Sequence, residues 1–160
     1  MSRSRLALLL ALAGSAGVLL GALVFQYGMG LAPCKLCIWQ RWPHGIAVAI
    51  AVIALLAGWR WLALAGAAAM LVSAGLGFYH AGVEQGWFQG PDSCTSAPIE
   101  GMTTEQLMAQ IMAAPLVRCD EIPWDLFGIS IAGWNAVVSL ILAGIWVAAL
   151  WSGGGRRASG

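Results

Sequence analysis

The chain has 160 residues, 60% of them apolar and only 9% charged, with a net charge of +1 at neutral pH. Soluble domains carry roughly 25% charged residues, so this composition excludes an ordinary water-soluble domain and points to the bilayer. Divided at its charges, the sequence leaves uncharged stretches at Leu6–Ala32, Trp42–Trp59, Trp61–Val83 and Leu126–Gly155, of 27, 18, 23 and 30 residues. About 20 apolar residues cross a bilayer as a helix. The expected fold is therefore an all-α membrane protein, a single domain built as a four-transmembrane-helix bundle. Its spans are expected at about 6–26, 38–58, 62–80 and 126–151, with a long external loop at about 82–125.

Charge placement orients the bundle. Arg3, Arg5, Arg60, Arg156 and Arg157 share one side of a four-span chain, while Lys35, Arg41, Arg118 and all seven acidic residues share the other. The positive-inside rule then predicts a multi-pass protein of the bacterial inner membrane with both termini in the cytoplasm. Cys34, Cys37, Cys94 and Cys119 are all expected in the periplasm, where disulfides persist.

Met1–Arg5 is a short basic head, and Ala11-Leu12-Ala13 resembles a signal-peptide cleavage site. The apolar run continues through Leu19, Leu20, Leu23, Val24 and Phe25, beyond the 7–15 residues of a signal core, so an uncleaved first span is expected. Gly17-x-x-x-Gly21, close to one stripe with Gly14, has the small-xxx-small spacing of close helix packing, and no more than packing is expected of it. Gln26–Ala32 reads as a short external turn.

The next stretch is Pro33-Cys34-Lys35-Leu36-Cys37-Ile38-Trp39-Gln40-Arg41. A helix beginning near Pro33 places Cys34, Cys37 and Arg41 at i, i+3 and i+7, on one face. The helix N-terminus and the guanidinium would both favour a thiolate, the form that attacks disulfides. Arg41 is the only charge between Lys35 and Arg60, and a cation at the membrane boundary is costly enough to suggest a function. His44, one turn further in, is a second candidate; Gln40 and Asn135 read as interhelical hydrogen-bond partners.

Gly58-Trp59-Arg60-Trp61 makes a tight hairpin, and the third span, from about Leu62 to Tyr79, has the Gly, Ala and Ser content of a packed interior helix. His80 follows at its outer end, a candidate donor to a carbonyl-bearing ligand held between helices at the depth of Arg41. Trp39, Trp42, Trp87 and Trp124 are expected at the outer interface and Trp59, Trp61, Trp146 and Trp151 at the inner one, with only Trp134 deeper. In the loop, Thr103-Thr104-Glu105-Gln106 reads as a capping box that opens a helix. Leu107, Met108, Ile111 and Met112 would share its apolar face, laid on the bilayer or packed on the bundle. The Gly153–Arg157 tail is expected to be disordered.

Four cysteines allow three pairings. Cys34 and Cys37 are close enough to bridge locally, and Cys94 with Cys119 would then close the loop. A purely structural staple there is one reading, contributing about 3.5 kcal/mol in the chain-entropy model. A local Cys-x-x-Cys bridge hardly restricts the unfolded chain, however, and two pairs on one membrane face can pass electrons by thiol–disulfide exchange. A zinc site would need a second closely spaced pair, so no metal is expected.

Four spans, Cys34, Cys37 and Arg41 opening the second helix, a later cysteine pair in the long loop, Tyr79-His80, and Cys119-Asp-Glu-Ile-Pro-Trp124-Asp125 before the last span together resemble the DsbB family of bacterial disulfide-bond formation proteins. The resemblance covers about residues 6–150. It implies a protein-disulfide oxidoreductase that re-oxidises a periplasmic DsbA-like thioredoxin-fold partner and passes the electrons to a quinone, ubiquinone or menaquinone. The catalytic residues it implies are Cys34, Cys37, Cys94 and Cys119, with Cys94 attacked by the partner. Cys37, Arg41 and His80 would face the quinone. Membrane lipid is the other expected partner, and no nucleic acid. Lys35 adds a cation between the first two thiols, and nothing between Cys94 and Cys119 can be matched. A vitamin K epoxide reductase-like protein is a rival, but there the Cys-x-x-Cys follows the loop pair. The rival of another class is a non-catalytic membrane adaptor with a disulfide-stapled loop.

Overall fold

The computed structural model describes residues 2–92, 94, 103–113 and 117–152; the Gly153–Arg157 tail lies outside them. Helix α1 (Arg3–Leu23) runs into a π-helical turn, Val24–Gly28, and is followed by α2 (Lys35–Ala57), α3 (Leu62–Glu84), the loop helix α4 (Thr104–Ala113), a two-stranded hairpin of β1 (Asp125–Leu126) and β2 (Ile129–Ser130), and α5 (Ile131–Trp151). Four of these helices, with the π turn continuing the first, are long and apolar enough to cross a membrane. The fold is an all-α multi-pass bundle.

Local chemistry sets the ends of the elements. Ser2 and Ser130 cap α1 and α5 by accepting the amide N–H of Arg5 and Gly133, and Gly58 closes α2 in the left-handed conformation (φ 69°) that only glycine adopts cheaply. The expected capping box of α4 is formed: Thr103 Oγ1 accepts the Gln106 amide and Gln106 Oε1 accepts the Thr103 amide. Met108 and Met112 on α4 are exposed.

Several details differ from the sequence reading, among them the third span, which runs on through His80 to Glu84. The first helix reaches Gly28, so the external turn is shorter than Gln26–Ala32. The last helix starts at Ile131, because Phe127 (φ 55°) and Gly128 (φ 75°) both take the positive φ of a two-residue hairpin turn, which pairs Asp125 with Ser130. Trp134 consequently lies in the first turn of α5, near its N-terminal end and not deep in the span, and its Nε1 donates to the Leu126 carbonyl.

Trp146, by contrast, leaves the belt. It is fully buried in the main core with Leu8, Ala11, Ala47, Ala51, Met70 and Leu142, lying over Gly66 of α3, where any added Cβ would fall 2.4 Å from the indole. Position near a helix end gives depth but not face, and Trp146 is on the inward face. Gly77 brings α3 equally close to the α5 backbone, with a Cβ there 2.8 Å from Ala136 N and 2.9 Å from Ala132 O. On α1, Gly14 meets Leu142, whereas Gly17 and Gly21 have nothing within 4 Å. The expected packing role of Gly17-x-x-x-Gly21 is not what the structure shows.

Gly77→Val should therefore destabilise the bundle by about 1–3 kcal/mol, because backbone cannot yield as a side chain can. Gly75→Ala, with open space at its Cβ, should be neutral or stabilise the helix by up to about 1 kcal/mol. Thermal unfolding in detergent measures both.

Candidate functional site

The two cysteine pairs meet at one end of the bundle, the end that carries the loop between α3 and α5. Cys94 and Cys119 form a disulfide with a Cα–Cα distance of 5.3 Å, and the Cys119 amide donates to the Cys94 carbonyl at 2.7 Å. Both are buried in one cluster with Cys34, Leu36 and Val83, and Cys37, Tyr79 and Val117 pack against it. The loop is drawn onto α3 by Tyr79, whose hydroxyl donates to the Gln89 carbonyl, and by Phe88, seated over Gly82. Beside Cys119, Arg118 donates two hydrogen bonds to Asp120, which hold the Asp120 carboxyl below the usual carboxylate range.

Cys34 is the N-cap of α2, not a residue within it, and Pro33 precedes the cap. Its sulfur accepts the Cys37 amide N–H at 3.2 Å, the position that a Ser or Asp oxygen usually takes. The Cys37 sulfur is 2.9 Å away, and His80 Nε2 is at 3.5 Å. On distance alone either thiol could hold the proton of the pair; the amide and the imidazole both face Cys34 and make it the anion. The hydrogen bond from Cys37, assisted by His80 and opposed by burial, holds the Cys34 thiol far below its ordinary range.

The orientation of His80 is set from α2. Gln40 Nε2 donates to His80 Nδ1 at 2.8 Å and to the Leu36 carbonyl at 3.3 Å. With Nδ1 accepting, the proton of a neutral imidazole sits on Nε2, toward Cys34. Gln40 is thus the interhelical partner the sequence suggested, and also the group that fixes the tautomer. Glu84, one turn beyond His80, has a side chain only 2% exposed, with Oε1 3.8 Å from His80 Nε2. In the sequence Glu84 is the charge that ends the uncharged stretch Trp61–Val83; its signal was the spacing His80-x-x-x-Glu84.

Arg41 does not act on Cys34. Its Nη1 donates to Gln26 Oε1 at 2.6 Å in the π turn, and its Nη2 to the Ala22 carbonyl at 3.4 Å. Single π turns recur at functional sites, and this one hands the guanidinium to a cleft. The cleft, of about 250 Å³, is lined by Gly21, Ala22 and Phe25 of the first helix, Cys37, Gln40, Arg41 and His44 of α2, His80 of α3, and Trp134, Asn135 and Val138 of α5. Its walls are mainly apolar, with a few convergent polar groups, as in small-molecule sites. His44, fully buried, faces Asn135 Oδ1 at 3.0 Å and the hydroxyls of Ser73 and Ser139. Asn135 Nδ2 donates to Ser73, which turns Oδ1 toward His44 and puts the imidazole proton on Nε2. His44 Nδ1 is left as a buried acceptor with no partner among the described residues.

The structure therefore brings together Cys34, Cys37, Cys94, Cys119 and His80, with Cys37, Arg41 and His80 also on the cleft. This defines a membrane-embedded helical bundle that presents two cysteine pairs and an apolar cleft at one end. Comparison with known proteins agrees. The sequence matches the family described as "Disulfide bond formation protein DsbB" over residues 4–149. It is 31% identical over 151 residues to Disulfide bond formation protein B of Albidiferax ferrireducens, covering 91% of this chain and 86% of that protein. The protein of the same name from Shewanella frigidimarina is 32% identical over 144 residues (86% and 85%), and that from Aromatoleum aromaticum 33% over 139 residues (80% and 81%). No solved structure matches. The chain belongs to the DsbB family and is a membrane disulfide bond formation protein.

In the reduced protein, the ultraviolet thiolate band of Cys34 should persist as pH falls below neutrality and vanish only in the acid range. His80→Ala should move that transition to higher pH, since removing a donor to the anion raises the thiol. A titration of the absorbance checks both directions.

Proposed function

We propose that this protein re-oxidises a periplasmic DsbA-like dithiol partner and delivers the electrons to a membrane quinone. The observation that carries this reading is the division of labour within the Cys-x-x-Cys: Cys34 is packed with the loop disulfide Cys94–Cys119, while Cys37 lines the apolar cleft. Electrons accepted from outside thus have a covalent route to the membrane side. In this reading the inner membrane holds the bundle, both termini are cytoplasmic, and the four cysteines are periplasmic, as the distribution of arginines supports.

A partner thiolate attacks Cys94, Cys119 leaves as a thiolate, and the partner's second thiol resolves the mixed disulfide. The partner is then oxidised and the loop pair reduced. A loop thiolate next attacks Cys34 of an oxidised Cys34–Cys37 bond and displaces Cys37 toward the cleft. The second loop thiol restores Cys94–Cys119 and leaves Cys34 and Cys37 reduced. Cys34, stabilised as an anion by the Cys37 amide and His80, re-forms its bond to Cys37 when the pair gives up two electrons and the Cys37 proton, the second proton for the acceptor coming from the surroundings.

A quinone, when bound, supplies the two-electron, two-proton acceptor. The residues present fit one. The cleft is apolar, and Arg41 offers a cation for a developing negative oxygen. His80, expected from the sequence to contact the acceptor, has both nitrogens turned to other work, Nδ1 to Gln40 and Nε2 to Cys34. Its role in this reading is to serve Cys34 and to form the cleft wall.

The test is quinone reduction by the purified protein in detergent, with a reduced DsbA-type donor. The expected result is turnover that is abolished by Cys37→Ser. No turnover with either ubiquinone or menaquinone analogues would instead favour the adaptor with a stapled loop. Gly21→Phe, which projects a ring from an open position on the cleft wall, should raise the KM for quinone at least several-fold while leaving the exchange between the donor and Cys94–Cys119 unchanged.

A further inference from the structure

We infer that Glu84 is the proton-holding partner of Cys34, taking up a proton when the Cys34–Cys37 disulfide is reduced and returning it when the bond re-forms. The inference rests on the redox activity proposed above for that pair and adds a residue to it. A carboxyl whose side chain is 2% exposed is expensive unless it has a task, and Glu84 Oε2 has no hydrogen-bond partner among the described residues.

One N–H stands between two acceptors. With Nδ1 occupied by Gln40, the imidazole proton on His80 Nε2 faces Cys34 Sγ at 3.5 Å and Glu84 Oε1 at 3.8 Å. When Cys34 is bonded to Cys37, its sulfur carries no charge and the carboxylate can use that N–H. When the bond is opened, Cys34 becomes the anion, and two negative charges against one imidazole in a dry cluster repel strongly. Protonating Glu84 leaves a single negative charge in both states, on the carboxylate in one and on the sulfur in the other. Glu84 is otherwise faced by Cys37 from α2 and by the Ser130 hydroxyl at the head of α5. Beyond Val83 lies the Cys94–Cys119 disulfide, which does not titrate. Arg41 is turned away to Gln26 and Ala22.

The balance is complete. A dithiol reductant gives two electrons and two protons; the electrons break the S–S bond, one proton goes to Cys37 and the other to Glu84, and Cys34 remains a thiolate. No proton is exchanged with water. Without the carboxylate, one proton per reduction is released.

The experiment equilibrates the protein, free of quinone and with Cys94 and Cys119 replaced by serine, against dithiothreitol at a series of pH values near neutrality. Infrared difference spectra are taken between the oxidised and reduced forms. Wild-type Glu84 should give an equilibrium constant nearly independent of pH and a carboxylic-acid carbonyl band that appears on reduction. In Glu84→Gln, a near-isostere, the band should be absent and the constant should change about tenfold per pH unit, the slope of one released proton. Glu84→Asp should restore the band in part. A band that does not change with redox state, or equal pH slopes in wild type and Glu84→Gln, overturns the inference while leaving the redox pair intact. Failure of Cys34–Cys37 to cycle with dithiothreitol at all overturns both this inference and the reading of the pair.

Discussion

The arrangement of the cysteine-bearing end depends on one hydrogen bond, from the Gln40 amide of α2 to Nδ1 of His80 on α3. A histidine offers its environment one donor and one acceptor when neutral, and the choice of tautomer decides which neighbour receives the proton. Because Gln40 also donates to the Leu36 carbonyl of its own helix, its amide cannot turn over without losing that second bond. The imidazole N–H is therefore committed to the sulfur side. The same bond ties two spans together at the depth where both cysteine pairs gather, so helix packing and thiol chemistry rest on the same atoms.

Below that point, close backbone approach makes the bundle. Gly66 and Gly77 let α3 lie against α5, one accommodating the Trp146 indole and the other the α5 main chain. Inside a bilayer there is no hydrophobic gain in bringing helices together, and such contacts, with hydrogen bonds such as those of His44, Ser73, Asn135 and Ser139, supply the attraction. The first helix is different. Gly17 and Gly21 meet no neighbour, and Gly21 forms cleft wall, so the same residue type serves contact on one helix and vacancy on another.

Composition made the four spans legible, since uncharged runs of the right length have few other uses. The capping box of α4 and the two thiol pairs were equally plain, because their chemistry is local in sequence. What could not be read depended on which way a helix face turns. Trp146 lies close to a helix end yet points inward; Arg41 follows the thiols at helical spacing yet is held by a π turn that no local propensity announces. Glu84 looked like an interfacial charge because burial is a property of the assembled bundle. The hairpin at 125–130 was hidden by a non-glycine residue, Phe127, in a conformation usually left to glycine.

Cys34 caps α2, and in the proposed reaction the same sulfur forms and breaks a bond during turnover. A helix start held by an anion is held best when that anion is present, so the first turn of α2 is fastened most firmly while the pair carries electrons and less firmly once it has given them up. Oxidation state and local mechanical stiffness are thereby linked at a single atom. On that proposal the wall of the cleft that includes Cys37 and Gln40 is softer when empty of electrons and firmer when loaded.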